Sequence, residues 1–106
     1  MAEHPDNWVI LKIAFPNTRP LYKVLAGWSG GYLDSDSWKL NSGIVASEKV
    51  GSSWVFYGRS GSEYWCNAGQ YKIRMNTAGI HNKILKEYPE VVDTMPEDTD
   101  WSKIEW

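Results

Sequence analysis

Cysteine is nearly absent from this chain: its 106 residues include one, Cys66, beside two histidines and two phenylalanines. A single thiol excludes an internal disulfide and gives no reason to invoke an oxidising compartment. His4, Cys66 and His81 offer no close-spaced ligand pair, and a structural zinc site needs four ligands, so no metal is expected. No apolar run approaches the ~18 residues of a membrane-spanning helix. The opening Met-Ala-Glu-His-Pro-Asp-Asn has neither the basic nor the apolar region of a signal peptide. The expectation is a cytoplasmic protein without cofactor, metal or membrane association.

Catalytic signatures are missing as well. Ser29-Gly30-Gly31 is not followed by the Lys-Ser/Thr pair and helix of a phosphate-binding loop. Asp34-Ser35-Asp36 lacks the closing glutamate of a calcium loop. Cys66 and His81, with Asn67 or Asn82 as orienter, supply the groups of a cysteine hydrolase. Alternation, however, groups Cys66 with Tyr64 on one strand face, where a cysteine serves as a small buried apolar residue. The protein is therefore expected not to be an enzyme.

What the chain does have is aromatic side chains with a polar handle: seven Trp and six Tyr. Such residues are common at interfaces as well as in cores. Apolar residues make up 42% and charged residues 23%, ordinary values for one folded domain. The net charge of −2 hides an asymmetry: from Glu90 onward six acids face one lysine, a balance of −5, whereas the preceding ten bases and seven acids give +3. A mildly basic body thus carries an acidic end, and we divide the chain into a compact domain over 1–95 and an acidic tail over 96–106. Trp101, Ile104 and Trp106 in that tail are spaced to pack or bind.

The clearest local signal is 54–66, two aromatic runs joined at Ser60-Gly61. Aromatic and β-branched residues favour a pleated surface, and glycine permits the positive φ of a tight turn, so this stretch reads as a β-hairpin. With a three-residue turn over 59–61 and a bulge at Gly61, Trp54, Phe56, Tyr64 and Cys66 share one face, and Val55, Tyr57, Glu63 and Trp65 the other. Further strands are predicted over 8–14, 21–28, 38–46 with a bulge at Asn41-Ser42-Gly43, and 90–95. A helix is predicted over 77–88: Ile80, Ile84, Leu85 and Tyr88 recur at helical spacing, Asn76 or Thr77 caps the start, and Pro89 ends it. On that helix His81 should face water. The expected fold is α+β, an antiparallel sheet of about five or six strands with one main helix on one face.

Exposed aromatics ringed by single charges have the composition of a binding hot spot. The residues singled out for partner contact are Trp28, Tyr32, Asp34, Asp36, Trp38, Tyr57, Arg59, Glu63 and Trp65. A second set, Lys72, Arg74, Lys83 and Lys86, is a candidate basic patch near the hairpin that could bind nucleic acid alongside stacked rings.

Gly27-Trp28-Ser29-Gly30-Gly31-Tyr32-Leu33, Ser37-Trp38-Lys39-Leu40-Asn41-Ser42-Gly43-Ile44 and the Phe56-x-Gly58-x-Ser60-Gly61-Ser62-x-Tyr64-x-Cys66 run together resemble small accessory proteins of tailed phages and prophages of enteric bacteria. The resemblance covers about 40 of the 106 residues. It implies a protein that binds and inhibits or modulates a host protein complex, as anti-CRISPR and other anti-defence proteins do; a monomer or homodimer without enzymatic activity is expected. A nucleic-acid or small-ligand binding module is the alternative.

Overall fold

The computed structural model describes residues 2–29 and 37–106. Its strands are β1 (Ala2–Glu3), β2 (Asn7–Ile13), β3 (Leu21–Trp28), β4 (Ser37–Leu40), β5 (Ile44–Val50), β6 (Ser53–Gly58), β7 (Glu63–Asn67) and β8 (Val92–Thr94), with one helix, α1 (Met75–Glu87). The fold is α+β and rich in sheet, but the single sheet expected from the sequence is two four-stranded sheets, ordered β1-β7-β6-β5 and β4-β3-β2-β8.

The second sheet lies in the middle of three layers. On β2, Trp8 and Ile10 point toward the first sheet and join Val24, Ala26, Phe56, Tyr64 and Cys66 in one core cluster. Val9 and Leu11 point the other way, joining Leu25 and Val92 under Ile80, Ile84 and Leu85 of α1. A strand covered on both faces reads as a continuous apolar run rather than an alternating one, which is the pattern of Trp8-Val9-Ile10-Leu11. Fully burying side chains of this size stabilises the fold by roughly 1.5–3 kcal/mol each.

The predicted strand over 38–46 is broken, because Asn41-Ser42-Gly43 carries the chain from one sheet to the other. Lys39 still pairs with Ala26 of β3, whereas Ile44 pairs with Gly58 of β6. Buried Asn41 makes the crossing possible by accepting the Val24 N–H at 2.8 Å on Oδ1. Gly43 takes φ +141°, a backbone conformation that side chains disfavour.

The hairpin has the register read from the sequence. Trp54 faces Cys66, Phe56 faces Tyr64, and Gly61 closes the turn at φ +93°. The strand expected over 90–95 is β8, which pairs with Leu11–Ile13 of β2. Only the C-terminal half of β2 is covered this way. Along the other half, Lys72 N–H donates to Trp8 O, and the Tyr71 hydroxyl accepts the Ile10 N–H at 3.2 Å while donating to Met95 O. Desolvation pushes the Tyr71 phenol up to about 12, so it remains a donor at any ordinary pH.

The acidic segment enters the core. Trp101 is 2% exposed and packs on Trp8, Phe56 and Tyr71 at 5.7–5.9 Å between ring centres. Its carbonyl accepts from Ser47 of β5, and Trp106 donates back to the same hydroxyl. The tryptophans of 96–106 pack, as their spacing suggested, and make that segment part of the body.

Helix α1 begins two residues before its predicted start. Arg74 is its N-cap, and Thr77, one of the expected caps, sits in the first turn with its hydroxyl accepting the Arg74 N–H at 3.3 Å. Buried Asn7 anchors this end: its Nδ2 donates to Lys72 O and Thr77 Oγ1, and its Oδ1 accepts from Asn76 at 2.7 Å. At the other end Tyr88, expected on the apolar face, is 49% exposed because the helix has stopped at Glu87.

The helix start can approach β3 this closely because residue 27 has no side chain. A β-carbon on Gly27 would lie 2.6 Å from Asn76 Oδ1 and 2.8 Å from Thr77 Cγ2. Gly27→Ala should therefore destabilise the fold by about 1–3 kcal/mol through overpacking. Gly79→Ala, in the exposed middle of α1 with nothing within 4 Å, should stabilise it by about 0.5–1 kcal/mol. Urea unfolding of the two variants beside the parent checks both signs.

Candidate binding surfaces

The six described residues singled out for contact are dispersed, and four of them, Trp28, Tyr57, Glu63 and Trp65, have side-chain polar atoms engaged within the fold. Trp28 packs against the inter-sheet core and donates its indole N–H to His4 O at 3.1 Å. Trp65, half-buried on the outer face of β7, stacks near His4 at 6.0 Å and donates to Glu63. The Tyr57 hydroxyl donates to Glu48 at 2.7 Å, which pushes its pKa up. Lys39 pairs with Glu3 at 2.8 Å, joining the edge strand of one sheet to that of the other. Tyr32, Asp34 and Asp36 lie outside the described residues.

Trp38 differs. It pairs with Gly27, over which the first turn of α1 sits, so its ring lies on the helix side of the middle sheet and is 45% exposed. At the same end Met75, the first residue of α1, is 91% exposed. Met75 shares a shallow cleft with Ser29, Lys72, Arg74 and Asn76. This end therefore carries a large ring, a flexible apolar side chain and two cations.

The expected basic patch is divided. Lys72 and Arg74 stand at the start of α1, whereas Lys83 and Lys86 are exposed further along it. The hairpin belongs to the opposite outer layer, so Arg59 at its tip does not meet them. It lies instead at the far end of the β2–β3 pair, in a cleft of about 380 Å3 with Phe15, Arg19, Tyr22 and Trp106. Sequence reading missed Met75, Phe15 and Arg19. Phe15 and Arg19 belong to a proline-flanked turn that reads only as a strand terminator, and Met75 precedes the helical periodicity. A bulky apolar residue inside a turn, as Phe15 is, was the one available signal.

Cys66 and His81 are on opposite sides of the middle sheet. The thiol is fully buried between the sheets, where desolvation pushes its pKa well up. His81, expected to face water, is half-buried against β8, with Nε2 2.7 Å from Thr94 Oγ1. Among the described residues, no three of His, Cys, Asp and Glu converge as metal ligands, and no helix is long and apolar enough to cross a membrane. No protein-family model matches the chain, and neither curated proteins nor solved structures give a match.

Desolvation lowers the His81 pKa from its ordinary 6.5. The unfolded chain then binds more protons at this site than the folded one, so stability falls as pH drops through 6.5 toward the folded-state value. Thermal unfolding of the parent and His81→Gln across pH 7.5 to 5 should show the parent losing stability more steeply in that window.

Proposed function

We propose that this chain is a non-enzymatic binding domain that engages a protein partner through the end where α1 begins. The observation that carries this reading is the pair of large apolar side chains left in water there, Trp38 at 45% and Met75 at 91% exposure. Tryptophan anchors are the commonest hot-spot residues, and methionine adapts to irregular partner surfaces. Lys72 and Arg74 beside them favour an acidic partner surface and would speed encounter with it. The resemblance to phage accessory proteins supports a host protein or complex as that partner, defence complexes included, and inhibition or modulation as the outcome in the bacterial cytoplasm.

Lys72 and Arg74 next to an exposed ring also support nucleic-acid binding as a second reading. The acidic segment favours the first, because its charge opposes a polyanion.

Capture from enteric bacterial lysate on immobilised parent, Trp38→Ala, Met75→Ala and Lys83→Ala, with bound proteins identified by mass, separates the two. The protein-binding reading expects one partner whose affinity falls roughly 10-fold or more with Trp38→Ala or Met75→Ala, a hot-spot loss, and is unchanged with Lys83→Ala. Equal capture by all four, or oligonucleotide binding that falls steeply with salt and no protein partner, would contradict it.

A further inference from the structure

At the opposite end of the β2–β3 pair, the cleft around Arg19 and Arg59 has a volume of about 380 Å3. That volume lies in the range of roughly 300–1,000 Å3 typical of small-molecule sites. Its walls are the rings of Phe15, Tyr22 and Trp106 with Ile44 and the neighbouring aliphatic side chains, and its charged side chains are Arg19 and Arg59. No acidic side chain among the described residues lines it. Among the described residues the one ion pair is Lys39–Glu3, so neither guanidinium has a carboxylate partner.

We propose that this cleft binds a small organic acid, an apolar body carrying one carboxylate, independently of the protein-contact surface at the other end. An arginine fork matches a carboxylate bidentately and is more weakly hydrated than an ammonium, so it suits a partly apolar site. A carboxylate also loses less hydration on entering such walls than a doubly charged phosphate.

Contacts within the fold place two sides of this cleft, Arg59 and Trp106. The Arg59 backbone N–H donates to Gly43 O at 2.9 Å. A β-carbon on Gly43 would lie 3.2 Å from Arg59 Nε and 3.5 Å from Cζ, so the guanidinium rests against a bare α-carbon. The same glycine that lets the chain cross between sheets thus seats the arginine. Trp106 is fixed on the other side by an edge-on contact with Tyr22 at 5.3 Å and by its indole N–H to Ser47 Oγ at 3.1 Å. Such preorganisation lowers the ordering cost of binding.

Titration of the 15N-labelled protein with 3-phenylpropionate, with 3-phenylpropan-1-ol as a neutral body and with inorganic phosphate as a bare anion tests the assignment. The acid should move the Trp106 indole resonance with a millimolar or tighter dissociation constant, and the alcohol and phosphate should each bind roughly 10-fold more weakly. Arg59→Gln and Arg19→Gln, both at exposed positions, should each weaken acid binding by roughly 5–10-fold. Their unshifted amide spectra elsewhere would show the fold intact. Equal affinity for acid and alcohol, phosphate binding as tight as the acid, an unmoved Trp106 indole, or arginine variants that bind like the parent would overturn the proposal.

Discussion

Burial of β2 on both faces is the constraint from which the other features follow. Trp8 and Ile10 fill the space between the sheets while Val9 and Leu11 fill the space under α1, so one strand belongs to two cores. Trp8 couples the layers further: its indole N–H donates to Asn67 O at the end of β7, and its ring contacts Phe56 and Trp101. A strand so enclosed must have its backbone groups satisfied, because an unpaired buried amide costs about as much as a lost hydrogen bond. β3 pairs with all of β2, and β8, Tyr71, Lys72 and Met95 divide its other edge among them. The late elements of the chain, Tyr71, β8 and Trp101, are thereby drawn back onto its first long strand.

Local features of this fold were legible wherever local chemistry decides them. The limits of β3 follow from Pro20 before it and its alternation, and the hairpin register follows from the turn that Gly61 permits. Ile80, Ile84 and Leu85 mark the helix, but no periodic residue marks its start at Met75. Its cap is Arg74, which has no side-chain acceptor, and the reciprocal bond comes from Thr77. The missed feature is the layering. Asn41-Ser42-Gly43 carries the same signal whether a strand bulges or leaves its sheet, and only the long-range bond from Val24 to Asn41 separates the two. Trp101 posed a similar problem, since acidic neighbours suggest a solvated tail while its spacing suggests packing, and the aromatic core decided in favour of packing.

The candidate sites were less legible than the fold, for a related reason. Exposure is a property of the packed molecule, and two of the indole groups singled out for contact, Trp28 and Trp65, are bonded to His4 O and Glu63. Trp38 keeps its exposure because it lies at the edge of the middle sheet beside the start of α1. The two ends of the β2–β3 pair then differ in kind. One presents an exposed ring and methionine beside two cations, suited to a macromolecular surface. The other is a concave cleft with two guanidinium groups that have no carboxylate partner among the described residues, suited to a small anion. Both depend on glycines that let backbone or side chains come close, Gly27 beneath the helix start and Gly43 beneath Arg59.

Native-state amide exchange under increasing denaturant bears most directly on the claim that β2 joins both sheets and the helix into one cooperative body. The amides of Val9 and Leu11, of Leu25 and Ala26, and of Val55 and Phe56 in the outer sheet should converge on a single opening free energy equal to that of global unfolding. Exchange of β5–β7 through a separate opening of much lower free energy, with β2 and β3 still protected, would contradict it and show the outer sheet to be a unit of its own.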